Sequence, residues 1–393
     1  MFLSFLRNTF SFPDFKKFDP VLLGLFVFLC FFGLIAVATA SVQFSDSISG
    51  NPYNLLLKQL FHLILGIVLF CFLISTPLYF WEKSDRFFLA LGILFLVLVF
   101  VPGIGVEVNG AQRWIRFGSI GLQPSEIIKF MTIVYVSGYC VRRFKDLQSH
   151  WFAFFKLSVL IILIVSLILI QPDLGTSVVI FCTVLGMLFI AGVHLRQLVL
   201  VISLGFLGIL SLIYFVPWRW ERIISFMDPW SSQFEGGYQL TLSLMAIGRG
   251  DWFGVGLGEG LIKLGYLPDA HTDFVFAVII EEMGLFTGFI IVASLFLLSF
   301  RCFLIGRQAL LKGLDFGFYI SYGVGILIGL HTFINVGVAT GLLPTKGLTL
   351  PFISYGGTNL LVMCSLVGLV LRVDSETKTS MPVVSISRRA NFL

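Results

Sequence analysis

The sequence predicts an all-α integral membrane protein of about ten transmembrane helices, with both termini cytoplasmic and a large extracytoplasmic loop between helices 7 and 8. Three observations predict it. First, 58% of the 393 residues are hydrophobic and only 12% are charged, against about 25% charged in an average soluble domain; mean hydropathy is +0.99. A chain this long and this apolar cannot bury its hydrophobic residues in one aqueous core, so the lipid bilayer must be its solvent. Second, the apolar residues fall into runs near the roughly 20 residues that cross a bilayer. Third, Lys and Arg are unevenly distributed between alternate connections, which sets orientation.

The runs lie at 20–42, 57–76, 86–102, 125–141, 152–170, 174–192, 196–216, 274–300, 315–341 and 351–371. Ala38-Thr39-Ala40 mimics a signal-peptide cleavage site behind a basic start. The run before it is long for a signal peptide and nine more follow, so it reads as an uncleaved first span. Gln171-Pro172-Asp173 interrupts the fifth and sixth runs as a tight turn. With the N-terminus inside, seventeen of the 26 Lys and Arg fall on the inner side, and four of the nine outer ones share one loop. That loop, 217–273, is too long for a simple connection. Its tryptophans (Trp218, Trp220, Trp230, Trp252) and glycines argue for order, with amphipathic segments at the membrane surface, as around 240–247. The domain plan is therefore a cytoplasmic segment 1–19, a membrane domain 20–373 and a short flexible cytoplasmic tail 374–393.

The net charge of +5 forms no basic stripe, so no nucleic-acid partner is expected. Cys30, Cys71, Cys140, Cys182, Cys302 and Cys364 sit in or beside apolar runs without metal-ligand spacing and read as small apolar filler. Gly254, Gly256, Gly258 and Gly260 lack the strand–turn–helix setting of a nucleotide loop. The five histidines show no ligand spacing. No internal repeat suggests an inverted-repeat transporter.

Ionisable residues at membrane depth are costly and therefore informative. Three clusters stand out on the outer side. Asn109-Gly110-Ala111-Gln112-Arg113-Trp114 leads to Gln123-Pro124-Ser125-Glu126-Ile127-Ile128-Lys129, where Glu126 and Lys129 share a helix face. Spacing alone leaves two readings open, a neutralised ion pair with Arg113 anchoring at headgroups, and a cationic site for a diphosphate. Asp173 either caps the following helix or lines a polar cavity. Asp273, in Asp269-Ala270-His271-Thr272-Asp273 before Glu281-Glu282, lies where the long loop re-enters the membrane. It too can cap a helix. A general base there needs burial to outweigh the helix N-terminus, lifting its pKa from about 3.9 toward neutrality.

These blocks, with 237–258 and the run Gly341-Leu342-Leu343-Pro344-Thr345-Lys346-Gly347-Leu348-Thr349-Leu350-Pro351-Phe352-Ile353-Ser354-Tyr355-Gly356-Gly357, resemble the SEDS family of peptidoglycan glycosyltransferases over about 20–374. Gly237-Tyr238-Gln239-Leu240, Ala246-Ile247-Gly248-Arg249-Gly250 and the segment 344–349 resemble its cell-division branch more than its elongation branch. The resemblance implies ten helices and polymerisation of lipid II, with the growing glycan chain as donor, on the outer face of the bacterial inner membrane at the division septum. It implies Asp273 as the catalytic residue, with Lys129, Arg113, Glu126, Asp173, His271, Thr272, Arg249, Lys346 and Ser354 as substrate-binding residues. Where some members carry an arginine eight residues before the lysine, this chain has Gly121, so Arg113 or Arg116 would replace it. A divalent cation (Mg or Mn) is compatible with such chemistry, but no metal cage is evident. A class B penicillin-binding protein (a transpeptidase) and other divisome membrane proteins are the implied partners. Two alternatives are a lipid II flippase, which needs a polar path through both leaflets, and a non-catalytic divisome scaffold, which predicts that Asp273 is dispensable.

Overall fold

The computed structural model describes residues 18–380 except Asn109, Gly118 and Ser119. Most of the predicted segment 1–19, the end of the tail (381–393) and Asn109 of the first cluster thus lie outside the described residues. Fourteen helices and one small sheet follow in order: α1 Pro20–Ala40, α2 Val42–Ser49, α3 Asn54–Ser75, α4 Leu78–Leu98, β1 Gly105–Val108, β2 Ala111–Phe117, β3 Ile120–Leu122, α5 Pro124–Arg142, α6 Phe144–Ser149, α7 Trp151–Ile170, α8 Leu174–Ile190, α9 Leu195–Tyr214, α10 Pro217–Met227, α11 Tyr238–Gly250, α12 Val275–Leu311, α13 Asp315–Ala339 and α14 Gly357–Thr379. Every predicted apolar run coincides with a helix. Six of these helices (α1, α3, α7, α12, α13, α14) are long and apolar enough to cross a membrane, and α8 and part of α9 are shorter apolar helices. Proline opens α1, α5 and α10 at the first turn, where its missing N–H costs nothing.

Four boundaries differ from the sequence reading, one of them the end of α12, which runs to Leu311 rather than 300. The run expected from residue 86 begins at Leu78, because Glu82, Lys83, Asp85 and Arg86 lower hydropathy without disfavouring helix. The last run begins at Gly357 rather than 351, after a turn in which Phe352 has φ 65. It continues six residues beyond Val373, supported by i,i+4 pairs Arg372–Glu376 at 2.7 Å and Asp374–Lys378 at 2.8 Å. The fold is also not purely helical. β1, β2 and β3 form an antiparallel sheet with Gly105 opposite Ile115 and Arg116 opposite Gly121. The Asn109-Gly110 dipeptide, a strong hairpin signal, heralds this turn, and Gly110 adopts φ 74.

The helices share one apolar core in which α14 is the most enclosed of the six long apolar helices. The end of the bundle opposite the N-termini of α5 and α14 also holds buried charge. Asp19, Asp85 and Asp374 are all buried, and each is matched, by Arg301, by Arg142 at 2.6 Å and by Lys378. α9 is the loosest element: from Ile202 onward none of its described side chains is buried.

The long loop is mostly structured and docks on a break in α12. Gly284 (φ 83, ψ 168) divides that helix. The backbone groups freed there are taken up by the loop, with Leu285 N donating to Asp251 O (2.8 Å), Val255 N to Glu281 O (2.9 Å) and Gly256 N to Glu282 O (3.0 Å). Non-helical backbone at membrane depth needs such protein partners. A Cβ on Gly284 would meet Trp252 O at 2.2 Å, and one on Gly250 would meet Ile280 O at 2.0 Å. The loop therefore fixes the first half of α12, which Asp273 immediately precedes.

Candidate active site

Asp273 ends a turn wound on a single carbonyl. Asp269 adopts φ 54, a conformation that Asp tolerates better than most residues, and Asp269 O accepts from the N–H groups of Thr272 (3.1 Å), Asp273 (3.1 Å) and Phe274 (3.4 Å). The Asp273 side chain is half-buried, and among the described residues no hydrogen-bond donor reaches its carboxylate. Burial first, then the nearby Asp269 and Asp173 charges, push its pKa up to about 7, against the pull of Arg113 and Arg222. The residue keeps some exposure, but the setting of the carboxyl group is mostly low-dielectric, and that environment dominates the shift.

The two arginines come from separate elements. Arg113 on β2 donates from Nε to Gln171 O (2.8 Å) and from Nη2 to Pro172 O (2.6 Å), locking the sheet onto the α7–α8 turn. Arg222 lies on α10, whose Trp220, Ile224 and Met227 form one exposed apolar face. That spacing turns Arg222 to the opposite face, where Nη1 reaches Thr345 O at 3.4 Å. Burial lowers its pKa and Asp273 raises it. Beside it opens a cavity of about 370 Å³ lined by Arg222, Glu221, Glu235, Tyr238, Gln239 and Thr345.

Asp173 caps α8, accepting from Thr176 N at 3.1 Å, while its second oxygen accepts from Ser125 Oγ (3.0 Å) and Gln123 Nε2 (3.4 Å). It thus serves as a cap and also places a carboxylate near Asp273. Lys129 lies deeper. Fully enclosed, its Nζ sits 2.6 Å from Glu126 and 2.9 Å from His331 Nε2, so of the two readings of this pair, the neutralised ion pair is the geometry present. Since an ammonium only donates, His331 Nε2 must accept, leaving Nδ1–H to face Thr349 O at 3.5 Å.

The other expected residues divide between backbone support and separate pairs. His271 is buried between Phe44 (4.5 Å) and Tyr355 (5.7 Å), and burial holds its pKa below the ordinary value. Thr272 Oγ1 donates to Asp269 O. Ser354 Oγ accepts from Leu350 N at 2.8 Å. Arg249 faces Glu281 at 3.4 Å, in a cluster that also pairs Lys263 with Glu282. Lys346 precedes Gly347, where a Cβ would lie 3.1 Å from Asp273 Oδ2. The structure thus gathers Asp273, Asp173, Arg113 and the Lys346 loop, and keeps Lys129, Glu126, Arg249 and Ser354 in other contacts. Sequence reasoning missed Arg222, Asp269, His331 and Asn335. The period of α10 could have revealed Arg222; nothing local distinguishes the other three.

A family model described as "Cell cycle protein", covering FtsW, RodA and SpoVE, matches residues 20–379. The chain is 46% identical over 360 residues to a Nitrosococcus halophilus protein named "Probable peptidoglycan glycosyltransferase FtsW", covering 92% of this chain and 93% of that one. It is 42% identical over 366 residues to the protein of that name from Saccharophagus degradans, covering 93% and 95%. In three dimensions it resembles a chain from "Structural coordination of polymerization and crosslinking by a peptidoglycan synthase complex" (TM-score 0.74, 25% identity, 92% and 98% coverage). It also resembles the rod shape determining protein RodA of Thermus thermophilus (TM-score 0.66, 26% identity, 92% and 98% coverage). A match spanning nearly all of the described residues, with relatives this similar over nine-tenths of their length, means that this chain belongs to the FtsW/RodA/SpoVE family.

Proposed function

We propose that the protein is a peptidoglycan glycosyltransferase that polymerises lipid II into septal glycan strands during cell division. The observation that carries this reading is the Asp273 carboxylate, half-open, unmatched by any donor among the described residues, raised to about 7 and facing two guanidinium groups. A base poised near the working pH, with cations beside it, suits displacement of a diphosphate.

Asp273 accepts the proton of the acceptor's sugar 4-hydroxyl as that oxygen bonds to the anomeric carbon of the growing chain. The bond from that carbon to the diphosphate breaks, and the electron pair leaves with the undecaprenyl diphosphate. One displacement converts the α-linked diphosphate into a β-1,4 bond with inversion. Arg113 and Arg222 stabilise the departing charge, with Lys346 at the rim and Asp173 fixing Gln123 and Ser125 beside it. Lys129 and Glu126 support the cavity from below. Among the described residues no three His, Cys, Asp or Glu side chains converge, so a Mg or Mn ion would draw most of its oxygens from the diphosphate. The splayed outer half of α9 is a suitable lateral entry for the polyprenyl tail.

The ten helices that match the apolar runs serve as ten spans of the membrane domain 20–373, with both termini cytoplasmic and 217–273 outside. The protein acts in the inner membrane at the septum with a class B penicillin-binding protein and other divisome proteins. Pairing of Asp19, Asp85 and Asp374 disfavours a flippase path through the far leaflet. The test is lipid II polymerisation by the purified protein with its transpeptidase partner, wild type against Asp273→Asn. Strands from wild type alone support the reading, and equal strands from both remove Asp273 from the chemistry.

A further inference from the structure

We propose that Asn335 is a positioning residue for the reaction, setting where the Asp273 carboxylate sits by tying the Asp273 peptide and the Leu348 peptide to one side-chain amide. The inference rests on the reading of Asp273 as the base. Asn335 lies on α13 and is buried. Its Nδ2 donates to Asp273 O at 3.0 Å and to Leu348 O at 2.5 Å, so both amide protons are used. The opposite amide orientation would set Oδ1 against two carbonyl oxygens, three acceptors without a proton among them, so chemistry dictates the one seen.

The clamp has a cost. Asn335 Oδ1 is buried with no partner among the described residues, which ordinarily disfavours a core asparagine. Filling space does not require that cost, whereas holding two loop peptides together does. The loop it grips is also braced elsewhere. Leu348 packs over Gly175, where a Cβ would meet Leu348 Cγ at 2.9 Å, and His331 Nδ1 faces Thr349 O. Gly347 is thereby pressed against the base, with the position of its absent Cβ 3.1 Å from Asp273 Oδ2. One bare backbone carbon thus borders the carboxylate on the side of this loop.

Several charged groups face Asp273: Asp269 from its own loop, Asp173 from α8, Arg113 from β2 and Arg222 from α10, with Lys346 beside Gly347. Asn335 is uncharged, so its removal acts on Asp273 through position and solvation alone. Releasing the clamp admits water and favours the carboxylate. A methyl at Gly347 displaces water and favours the neutral acid.

The experiment is the pH dependence of lipid II polymerisation by the full chain with its transpeptidase partner, for wild type, Asn335→Ala and Gly347→Ala. The acid limb of kcat/KM, expected near 7 in wild type, should move to lower pH, by about tenfold in proton concentration, in Asn335→Ala and to higher pH in Gly347→Ala. In Asn335→Ala, kcat at the optimum falls about 10²-fold while KM stays within about threefold, as for a misplaced reacting group. A limb that stays in place in both variants overturns the proposal, whatever the loss of rate. Gly347 is exposed and its φ is not in the left-handed region, so its variant decides the matter should Asn335→Ala fail to fold. Carbodiimide amidation of Asp273, followed by peptide mass spectrometry against pH, reads the same midpoint without turnover. If wild type makes no strands, the proposed function fails while amidation still tests the clamp.

Discussion

Lys129 and Asp273 are ionisable groups in one bundle, the first fully enclosed and the second half-buried, and their surroundings differ completely. Lys129 has a carboxylate at 2.6 Å and an imidazole at 2.9 Å, a closed set in which each charge answers another. Asp273 has neighbours that act through space but, among the described residues, no donor on its oxygens. A closed pair is held by its environment and can do little chemistry, whereas an open carboxylate raised toward neutrality can exchange protons. The difference separates structural from reactive charge in a chain where both look alike in sequence.

The sharpest way to break that contrast is Asp273→Asn. Losing a general base and a site charge together is expected to lower polymerisation by at least about 10³-fold. The pH dependence has a definite sign. As the proposed base Asp273 works ionised, so activity should be lost as pH falls through about 7. Stability runs the other way. Its folded pKa lies above the unfolded value, so its contribution is complete below about 3.9 and is lost as pH rises through about 7. Asp273→Asn should therefore raise Tm in detergent relative to wild type at pH 8, and leave it nearly level at pH 4. A lower Tm at pH 8 would mean that the carboxylate is paired after all.

Lys129→Met tests the other half. Removing one member of a buried pair leaves Glu126 unanswered, a loss of about 3–5 kcal/mol, read as a large drop in Tm. Glu126→Gln combined with Lys129→Met should recover much of it. A Lys129→Met protein with wild-type Tm and a raised KM would instead make Lys129 a substrate ligand.

The ten apolar runs and the Gln171–Asp173 turn were legible because hydropathy and proline report on local physics. The sheet was less so, since the dihedral demand of Asn109-Gly110 is a two-residue signal between strands of three to seven residues. Asp273 stood out by lying at a loop-to-membrane boundary. Arg222 did not, because its importance depends on which face of α10 meets the cavity. Asn335 and His331 could not be found at all: their roles come from loops folding back across α13, and no spacing along the chain encodes that return.

Arg222→Ala should act mainly on binding. α10 exposes one whole face, so Tm should change little, while KM for lipid II rises about tenfold on loss of one charge-assisted contact to a phosphate. An unchanged KM would leave Arg113 as the cation of the site.

The smallest effect is expected at Arg249, and it bears on the comparison most directly. Arg249 resembles a substrate cation in sequence, yet it faces Glu281 at 3.4 Å and is itself substantially exposed. Glu281 does not depend on it, because Glu281 also accepts from Leu261 N at 2.9 Å and Ile262 N at 3.3 Å. A carboxylate held by backbone donors keeps its place when one exposed, solvent-screened partner is removed. Arg249→Ala should therefore leave kcat, KM and Tm near their wild-type values. A selective rise in KM would show that this guanidinium leaves Glu281 for the substrate, and would place a second open charge on a cluster that otherwise reads as closed.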